Sequence, residues 1–246
     1  MKRLNACVLI PTYNNETFLE AVLDQLLLYT DSVIVVNDGS TDQTATILQK
    51  YSQSIAIVEY ATNQGKGYAL NRGFDHAESL GYDYVITMDS DGQHFPSDLS
   101  KFLDVIEEKP GAMVIGSRQL QQENMPKQNS FANRFSNFWF TLQTGISLPD
   151  TQTGYRLYPL KRMKGLRPLT SRYEAELEIL VRMAWRNTAL IPIPIEVYYA
   201  PVGERVSHFR PGVDFIRISL LNTCFVFAAI LYGYPSRLIR WLLRIR

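Results

Sequence analysis

The chain has only two cysteines in 246 residues, Cys7 in a strand-like run and Cys224 in an apolar run. No disulfide framework and no metal-binding cysteine spacing follow, and a reducing compartment is the default. Net charge is only +1, so no global field draws the chain to nucleic acid, and no such partner is expected. Neither the glycine fingerprint of dinucleotide-binding folds nor the P-loop spacing occurs, which argues against NAD binding and ATP hydrolysis. Lys2-Arg3 is followed by too short an apolar run before Pro11 to read as a signal peptide. Internal repeats and low-complexity segments are absent. Acidic residues stop at Asp214, yet Arg217, Arg237, Arg240, Arg244 and Arg246 follow, a basic and apolar tail on a neutral body.

What is present is a 46% apolar chain, long enough for one large α/β domain with an appendage. Short apolar runs at Ala6–Ile10, Ser32–Val36, Ile55–Tyr60 and Tyr84–Met88 read as buried strands. Each is followed by a polar loop and a helix. Pro11-Thr-Tyr-Asn14 is expected to end the first strand, since proline cannot continue a central ladder. Glu16 to Leu28 has helical spacing of Phe18, Leu19, Val22, Leu23, Leu26 and Leu27. Ser40 or Thr41 is expected to cap the next helix, which runs to about Tyr51, with Asp42 near its positive end. Asn63-Gln-Gly-Lys-Gly67 opens a helix from Tyr68 to Leu80. Four such units imply a mostly parallel sheet with helices on both faces, and ligands in such sheets bind at the carboxyl ends of strands.

The stretch that carries the chemistry is Asp89-Ser-Asp-Gly-Gln-His94, at the end of the fourth strand. In extended chain, residues i and i+2 point the same way, about 7 Å apart at ~3.3 Å rise per residue. Two carboxylates so placed repel unless a cation sits between them or one is protonated. Gly92 allows a sharp exit, and Gln93 and His94 add neutral ligands. Hard oxygen ligands suit Mg²⁺ or Mn²⁺, which would hold a substrate phosphate. Taken alone, the pattern also suits a solvated acidic turn. The other loops of that edge suit a nucleotide diphosphate compound: Thr12 and Tyr13 to pack on a base, Asp38 to accept from base or ribose, Lys66 to reach a phosphate. A solvated loop lysine is the plain alternative for Lys66.

Pro-Thr-Tyr-Asn, Asn-Asp-Gly-Ser-Thr-Asp, Asn-x-Gly-Lys-Gly and Asp-Ser-Asp-Gly-Gln-His, in that order, resemble family 2 glycosyltransferases, above all the dolichyl-phosphate mannosyltransferase and polyprenyl-phosphate glycosyltransferase branch. The likeness covers about residues 6 to 210. It implies the GT-A fold, a UDP- or GDP-sugar donor, Mg²⁺ or Mn²⁺, and inversion at the anomeric carbon. By that resemblance Pro11 and Tyr13 flank the base, Asn14 is a further substrate-binding residue, Asp38 reads the nucleotide, Asp89 contacts donor or metal, and Asp91 and Gln93 serve the metal. Asn15 departs from the family, many of whose members carry Glu there.

In the second half, Ala112–Ile115 reads as a strand ending in Gly-Ser-Arg118, whose arginine the resemblance places on the acceptor side. Gln119–Ser130 reads as a polar surface loop, and Asn133–Leu142 as an aromatic-rich helix with Arg134 near its start as a possible phosphate ligand. Asp150-Thr-Gln-Thr-Gly-Tyr-Arg156 resembles the family's acceptor loop, making Asp150 a candidate general base. For a lipid-phosphate acceptor no strong base is needed, and Arg118 and Arg134 would matter more. Glu174 and Glu176 start a helix to about Trp185. They suit the helix dipole, and the resemblance also makes them weaker candidate bases. The Gln-x-x-Arg-Trp pattern of processive synthases is missing, so one sugar per acceptor is expected. Ile191–Tyr199 reads as an edge strand. Ser207, His208 and Arg210 stand where the lipid-phosphate branch has Ser-Lys or Ser-Arg, with His208 in the basic position.

The apolar run Ile218–Tyr234, about 17 residues, is at the lower limit for crossing a ~30 Å hydrocarbon core. Pro235 is expected to break it. Ser236–Arg246 then reads as a basic amphipathic helix, suited to the surface of a membrane. The expected organisation is a GT-A domain over 1–212, with a nucleotide-sugar half at 1–118 and an acceptor half at 119–212, followed by membrane-associating helices at 213–246. The expected protein is a membrane-associated glycosyltransferase at the cytoplasmic face, with oligomers possible. The rivals are transfer to a non-phosphate hydroxyl on a glycolipid or cell-surface glycan, a sugar nucleotidyltransferase, and a non-catalytic nucleotide-sugar sensor. The nucleotidyltransferase would need a Gly-rich basic loop after its first strand, which Pro11-Thr-Tyr-Asn is not.

Overall fold

The computed structural model describes residues 1–118, 127–199 and 211–242. Seven strands form one sheet: β1 (Ala6–Thr12), β2 (Val33–Asn37), β3 (Ala56–Glu59), β4 (Tyr84–Thr87), β5 (Met113–Arg118), β6 (Arg156–Pro159) and β7 (Leu190–Ile195), in the order β3-β2-β1-β4-β6-β5-β7. All neighbours are parallel except β6, which runs antiparallel to both β4 and β5. The helices are α1 (Leu19–Leu27), α2 (Thr44–Lys50), α3 (Lys66–Ser79), α4 (Leu99–Glu108), α5 (Lys127–Thr144), α6 (Leu160–Met163), α7 (Glu174–Trp185), α8 (Pro211–Ala228) and α9 (Tyr234–Leu242).

Strand alternation explains the layering. On β1, Cys7 and Leu9 face one core with α3, α5, α7 and α8, where Leu70, Phe74, Phe140, Ile179, Trp185 and Phe225 pack. Val8 and Ile10 face the other, with α1, α2 and α4, where Leu23, Leu26, Leu48 and Phe102 pack. Because both faces are covered, the strands read as unbroken apolar runs.

Several local expectations are corrected. Pro11 lies inside β1, in the middle of the sheet. Val8 donates to Ser32 and Thr12 accepts from Asp38, so even-numbered residues of β1 bond towards β2. The nitrogen of Pro11 therefore faces the β4 side, where the ladder has ended at the Leu9–Thr87 pair, and no hydrogen bond is lost. The first helix starts at Leu19, after a turn. Asp42, not Ser40 or Thr41, serves the start of α2, its carboxylate accepting from the Thr44 N–H at 3.0 Å. The fifth helix begins at Lys127 within the expected loop, of which residues 119–126 lie outside the described residues. β6, not expected as a strand, is four residues long and bounded by Arg156 and Pro159, too short to show a pattern.

Pro235 does not break the tail. A π-helical turn at Ala229–Gly233 joins α8 to α9. The wider turn shifts the hydrogen-bond register just ahead of the proline, so its missing N–H is accommodated. The resulting helix, Ile216–Ile239, spans 24 residues and contains an 18-residue stretch of mean hydropathy 1.6. By length and composition it is sufficient to cross a bilayer.

Candidate active site

The first four loops meet at the carboxyl edge of β1, β2, β3 and β4, and their polar residues bind each other. Asn14, with φ +45°, receives its place from two bonds: its N–H donates to Ser40 Oγ at 3.0 Å, and its Oδ1 accepts from the Thr41 N–H at 2.8 Å. Asn15 donates from its backbone to Thr44 Oγ1 at 2.9 Å and from Nδ2 to the Ser90 carbonyl at 2.5 Å. The residue that departs from the family pattern thus ties the first loop to the acidic one. Asp38 is buried, and its carboxylate accepts from the N–H groups of Gln64 (2.7 Å) and Gly65 (2.9 Å) and from Asn63 Nδ2 (2.8 Å). It anchors the loop that opens α3, which takes up the acceptor capacity expected for a base or ribose. Pro11 is buried and Tyr13 half-buried on the same edge.

Beyond β4 the chain turns at Asp89-Ser90-Asp91-Gly92, where Gly92 has φ +74° and Asp91 Oδ1 accepts from the Gln93 N–H at 3.0 Å. Lys66, first residue of α3, bridges Asp89 at 2.6 Å and Glu176 at 2.9 Å. Its reach depends on close packing of the two helix starts: a Cβ on Gly67 would lie 2.3 Å from Ala175 Cβ. Burial disfavours the Lys66 charge, but Asp89 and Glu176 outweigh it and raise its pKa. Burial likewise opposes ionisation of Asp89, yet the Lys66 charge prevails and holds its pKa below the usual value. Asp91 goes the other way. Burial first, and Asp89 second, push its carboxyl up to about 6. Two acids with pKa values driven apart mark a place where a positive charge is wanted.

The donor set fits a hard divalent cation: two carboxylates from one turn, with Glu176 Oε1 buried and without a hydrogen-bond partner near them. Among the described residues no group of three His, Cys, Asp or Glu side chains is placed to hold a metal ion, so a cation here would have to take the rest of its coordination from a substrate phosphate. His94 is neutral, its pKa lowered to about 4 by burial. Its Nδ1 accepts from the Asp89 N–H at 3.3 Å and its ring stacks on Tyr155 at 4.9 Å. The Gln93 carbonyl accepts from the Tyr198 N–H at 2.9 Å, and His94 bridges Val197. The chain leaving β7 therefore returns to the acidic turn. Ser207, His208 and Arg210, further along, lie outside the described residues.

Across the turn lies the segment leading into β6. Gly154 is pressed against Asp89: a Cβ there would stand 2.5 Å from Asp89 Oδ2. Gly154→Ala is expected to displace that carboxylate and to lower turnover about 100-fold, the scale of a misplacement near 1 Å, with an unchanged circular dichroism spectrum. Steady-state kinetics on the purified variant checks it.

Asp150 is buried and tied down. It accepts from Arg118 Nε (2.6 Å) and Nη2 (3.0 Å), from Asn133 Nδ2 (2.8 Å) and from the Gln152 N–H (3.0 Å). Burial opposes its charge, but Arg118 more than compensates and depresses its pKa. A carboxylate with its lone pairs engaged and its pKa lowered is a poor base, and its geometry instead fixes Arg118. Arg134, next to Asn133 on α5, is exposed. Glu174 and Glu176 are both buried at the start of α7, and Glu174 Oε2 has no hydrogen-bond partner. They do more than face a helix dipole from solvent.

Sequence reasoning missed Arg156. It is fully buried on β6, where Nη1 donates to the Glu176 carbonyl and Nη2 to the Thr151 carbonyl, each at 2.8 Å. Its charge contributes to holding Asp89 ionised. The only available signal was an arginine inside the apolar run Tyr-Arg-Leu-Tyr.

Comparison with known proteins matches the profile described as Glycosyl transferase family 2 over residues 7–162. A Methanococcus voltae protein named UDP-N-acetylglucosamine--dolichyl-phosphate N-acetylglucosaminyltransferase is 28% identical over 213 residues, covering 78% of this chain and 85% of that protein. The human dolichyl-phosphate beta-glucosyltransferase is 31% identical over 178 residues, 61% of this chain and 53% of its own length. Among solved structures, mannosyl-3-phosphoglycerate synthase from Rubrobacter xylanophilus aligns with TM-score 0.64 at 19% identity, covering 100% of this chain and 77% of that one. Glucosyl-3-phosphoglycerate synthase from Mycobacterium tuberculosis, in complex with Mn²⁺, uridine-diphosphate and phosphoglyceric acid, aligns with TM-score 0.62 at 19% identity over 91% and 78% of the two chains. These neighbours share the GT-A fold. The chain therefore belongs to glycosyl transferase family 2 and is a glycosyltransferase.

Proposed function

We propose that this enzyme moves one sugar from a UDP- or GDP-sugar to a polyprenyl phosphate at the cytoplasmic face of a membrane, with inversion and with the help of Mg²⁺ or Mn²⁺. The observation that carries the reading is the pair Asp89 and Asp91 at the end of β4, one held ionised by Lys66 and the other pushed up to about 6. The names of the curated relatives support a lipid-phosphate acceptor.

Asp89, Asp91 and Gln93 would hold the cation, which when bound supplies Lewis-acid neutralisation of the departing diphosphate. Pro11, Tyr13 and Asn14 line the nucleotide edge, and Asp38 keeps the α3 loop in place beneath it. Lys66, already between Asp89 and Glu176, adds charge beside the phosphates. Arg118 gives Nε and Nη2 to Asp150, leaving Nη1 to orient the acceptor phosphate. Arg134, Ser207, His208 and Arg210 are further anion contacts in this reading. An acceptor phosphate oxygen attacks the anomeric carbon as the bond to the diphosphate breaks, and the electron pair leaves on that diphosphate. The attacking oxygen is already ionised, so no base is required, in keeping with the engaged state of Asp150. A hydroxyl acceptor would need one, and Glu174, with its unpartnered Oε2, is the second reading's candidate.

The test offers purified protein a panel of UDP- and GDP-sugars with Mg²⁺ or Mn²⁺ and polyprenyl phosphate, and identifies glycosylated lipid by mass spectrometry. One sugar per lipid phosphate, lost on chelation, is the expected product. Transfer only to hydroxyl lipids favours the second reading, and donor binding without transfer to any acceptor refutes both.

A further inference from the structure

The helix Ile216–Ile239 has two long faces. The inner one packs on the domain along its whole length. Asn222, Phe225 and Ala229 are buried, and a Cβ on Gly233 would lie 2.5 Å from the Trp185 indole nitrogen. Trp185 also meets the Phe225 ring edge-on at 5.6 Å. Polar ties reinforce this contact. Gln143 Nε2 donates to Asn222 Oδ1 at 2.9 Å, Tyr234 Oη to the Leu142 carbonyl at 2.6 Å, and Arg237 to the Thr144 carbonyl. With Trp185 Nε1 on the Gln143 carbonyl at 2.9 Å, these bonds cap the carboxyl end of α5.

The outer face is apolar and exposed: Ile216, Leu220, Phe227, Leu231, Leu238 and Leu242, four or seven residues apart and so on one side of the helix. Leu231 is 81% exposed. On α5, Phe138 and Leu142 are also exposed, and Leu142 adjoins the helix through its bond to Tyr234. Two elements thus present apolar surface together, which singly scattered residues would not explain.

We propose that this helix lies in the plane of an anionic bilayer surface, outer face down, with the exposed side of α5 beside it, and does not cross the bilayer. Crossing would require either stripping the inner face from α5 and α7, exposing the Gln143–Asn222 pair to hydrocarbon, or drawing the domain itself into the core. The charge complements such a surface: exposed Arg217 lies at one end and Arg237 towards the other, Arg240, Arg244 and Arg246 follow in the sequence, and no acid comes after Asp214. The inference deepens the membrane reading above, but its test needs no turnover, so failure of sugar transfer leaves it standing.

The experiment uses the full chain with a carboxyl-terminal epitope tag, expressed in a bacterium, and sealed inverted vesicles with the domain outside. In-plane attachment predicts that external protease removes tag and domain alike, and that alkaline carbonate releases the protein. Purified protein should float with phosphatidylglycerol-containing vesicles at least tenfold better than with phosphatidylcholine alone. Leu231→Asp with Leu238→Asp should reduce that binding about 100-fold and leave the circular dichroism spectrum and thermal midpoint in place. A protected tag or carbonate resistance would establish a span and overturn the proposal. So would unaltered vesicle binding by the double variant, or sedimentation showing that the same face closes a dimer and binds no lipid.

Discussion

Asp91→Asn should lower sugar transfer by about 100- to 1,000-fold, the rate equivalent of some 3–4 kcal/mol of lost charge stabilisation. The same substitution should leave the cation-free protein as stable as the parent or more so. Its carboxyl is pushed up to about 6 by burial and by Asp89, so the fold disfavours the ionised form. The sign follows directly. Stability from the protonated form is fully present below the ordinary carboxylate pKa and is lost as pH rises through about 6, a difference on the order of 2 kcal/mol above that. Asparagine does not ionise. In chelator, the parent should therefore lose thermal stability relative to Asp91→Asn between pH 5 and 7.5, while saturating donor and Mn²⁺ should narrow or reverse the difference. Calorimetry at the two pH values, alongside product formation, checks both halves. A variant that transfers sugar at the parental rate removes Asp91 from the site.

Asp150→Ala should destabilise the protein by about 3–5 kcal/mol, because it leaves the Arg118 guanidinium buried without its partner. It also strips acceptors from Asn133 Nδ2 and the Gln152 N–H. Urea unfolding measures this. Asp150→Asn, which keeps the shape and one acceptor, should fold and discriminate between roles. If Asp150 positions Arg118, the variant raises KM for the acceptor phosphate and preserves the shape of the pH profile. If Asp150 were the base, kcat would collapse and the acid limb of the profile would disappear.

The β-loop-helix half of the molecule was legible because each signal is local. Unbroken apolar runs mark strands covered on both faces. Asp89 and Asp91 lie beyond β4 in a turn rather than in the extended run that their spacing suggested, and they are close enough there for Asp89 to raise the Asp91 pKa. Lys66 was legible as a phosphate candidate from its glycine neighbours. Its bridge to Glu176 was not, since that depends on α3 meeting α7 across more than a hundred residues of chain. Non-local pairing also hid β6, whose four residues gain their place from β4 and β5 rather than from their own pattern. With β6 hidden, Arg156 read as the end of a loop. Asp38 was expected to accept from a base or ribose and Asp150 to serve as a base, whereas in the fold their oxygens accept from loop N–H groups and from Arg118. Sequence shows that a carboxylate is there, and only the fold shows what it already accepts. Pro235 misled because a π-helical turn removes the penalty that proline normally imposes.

The most direct test of the central claim is electron paramagnetic resonance of Mn²⁺ titrated into the protein with a UDP- or GDP-sugar. Donor-dependent Mn²⁺ binding in the parent, abolished in Asp91→Asn and weakened in Gly154→Ala, is the result predicted here. Equal Mn²⁺ binding by parent and Asp91→Asn in the presence of donor would contradict it.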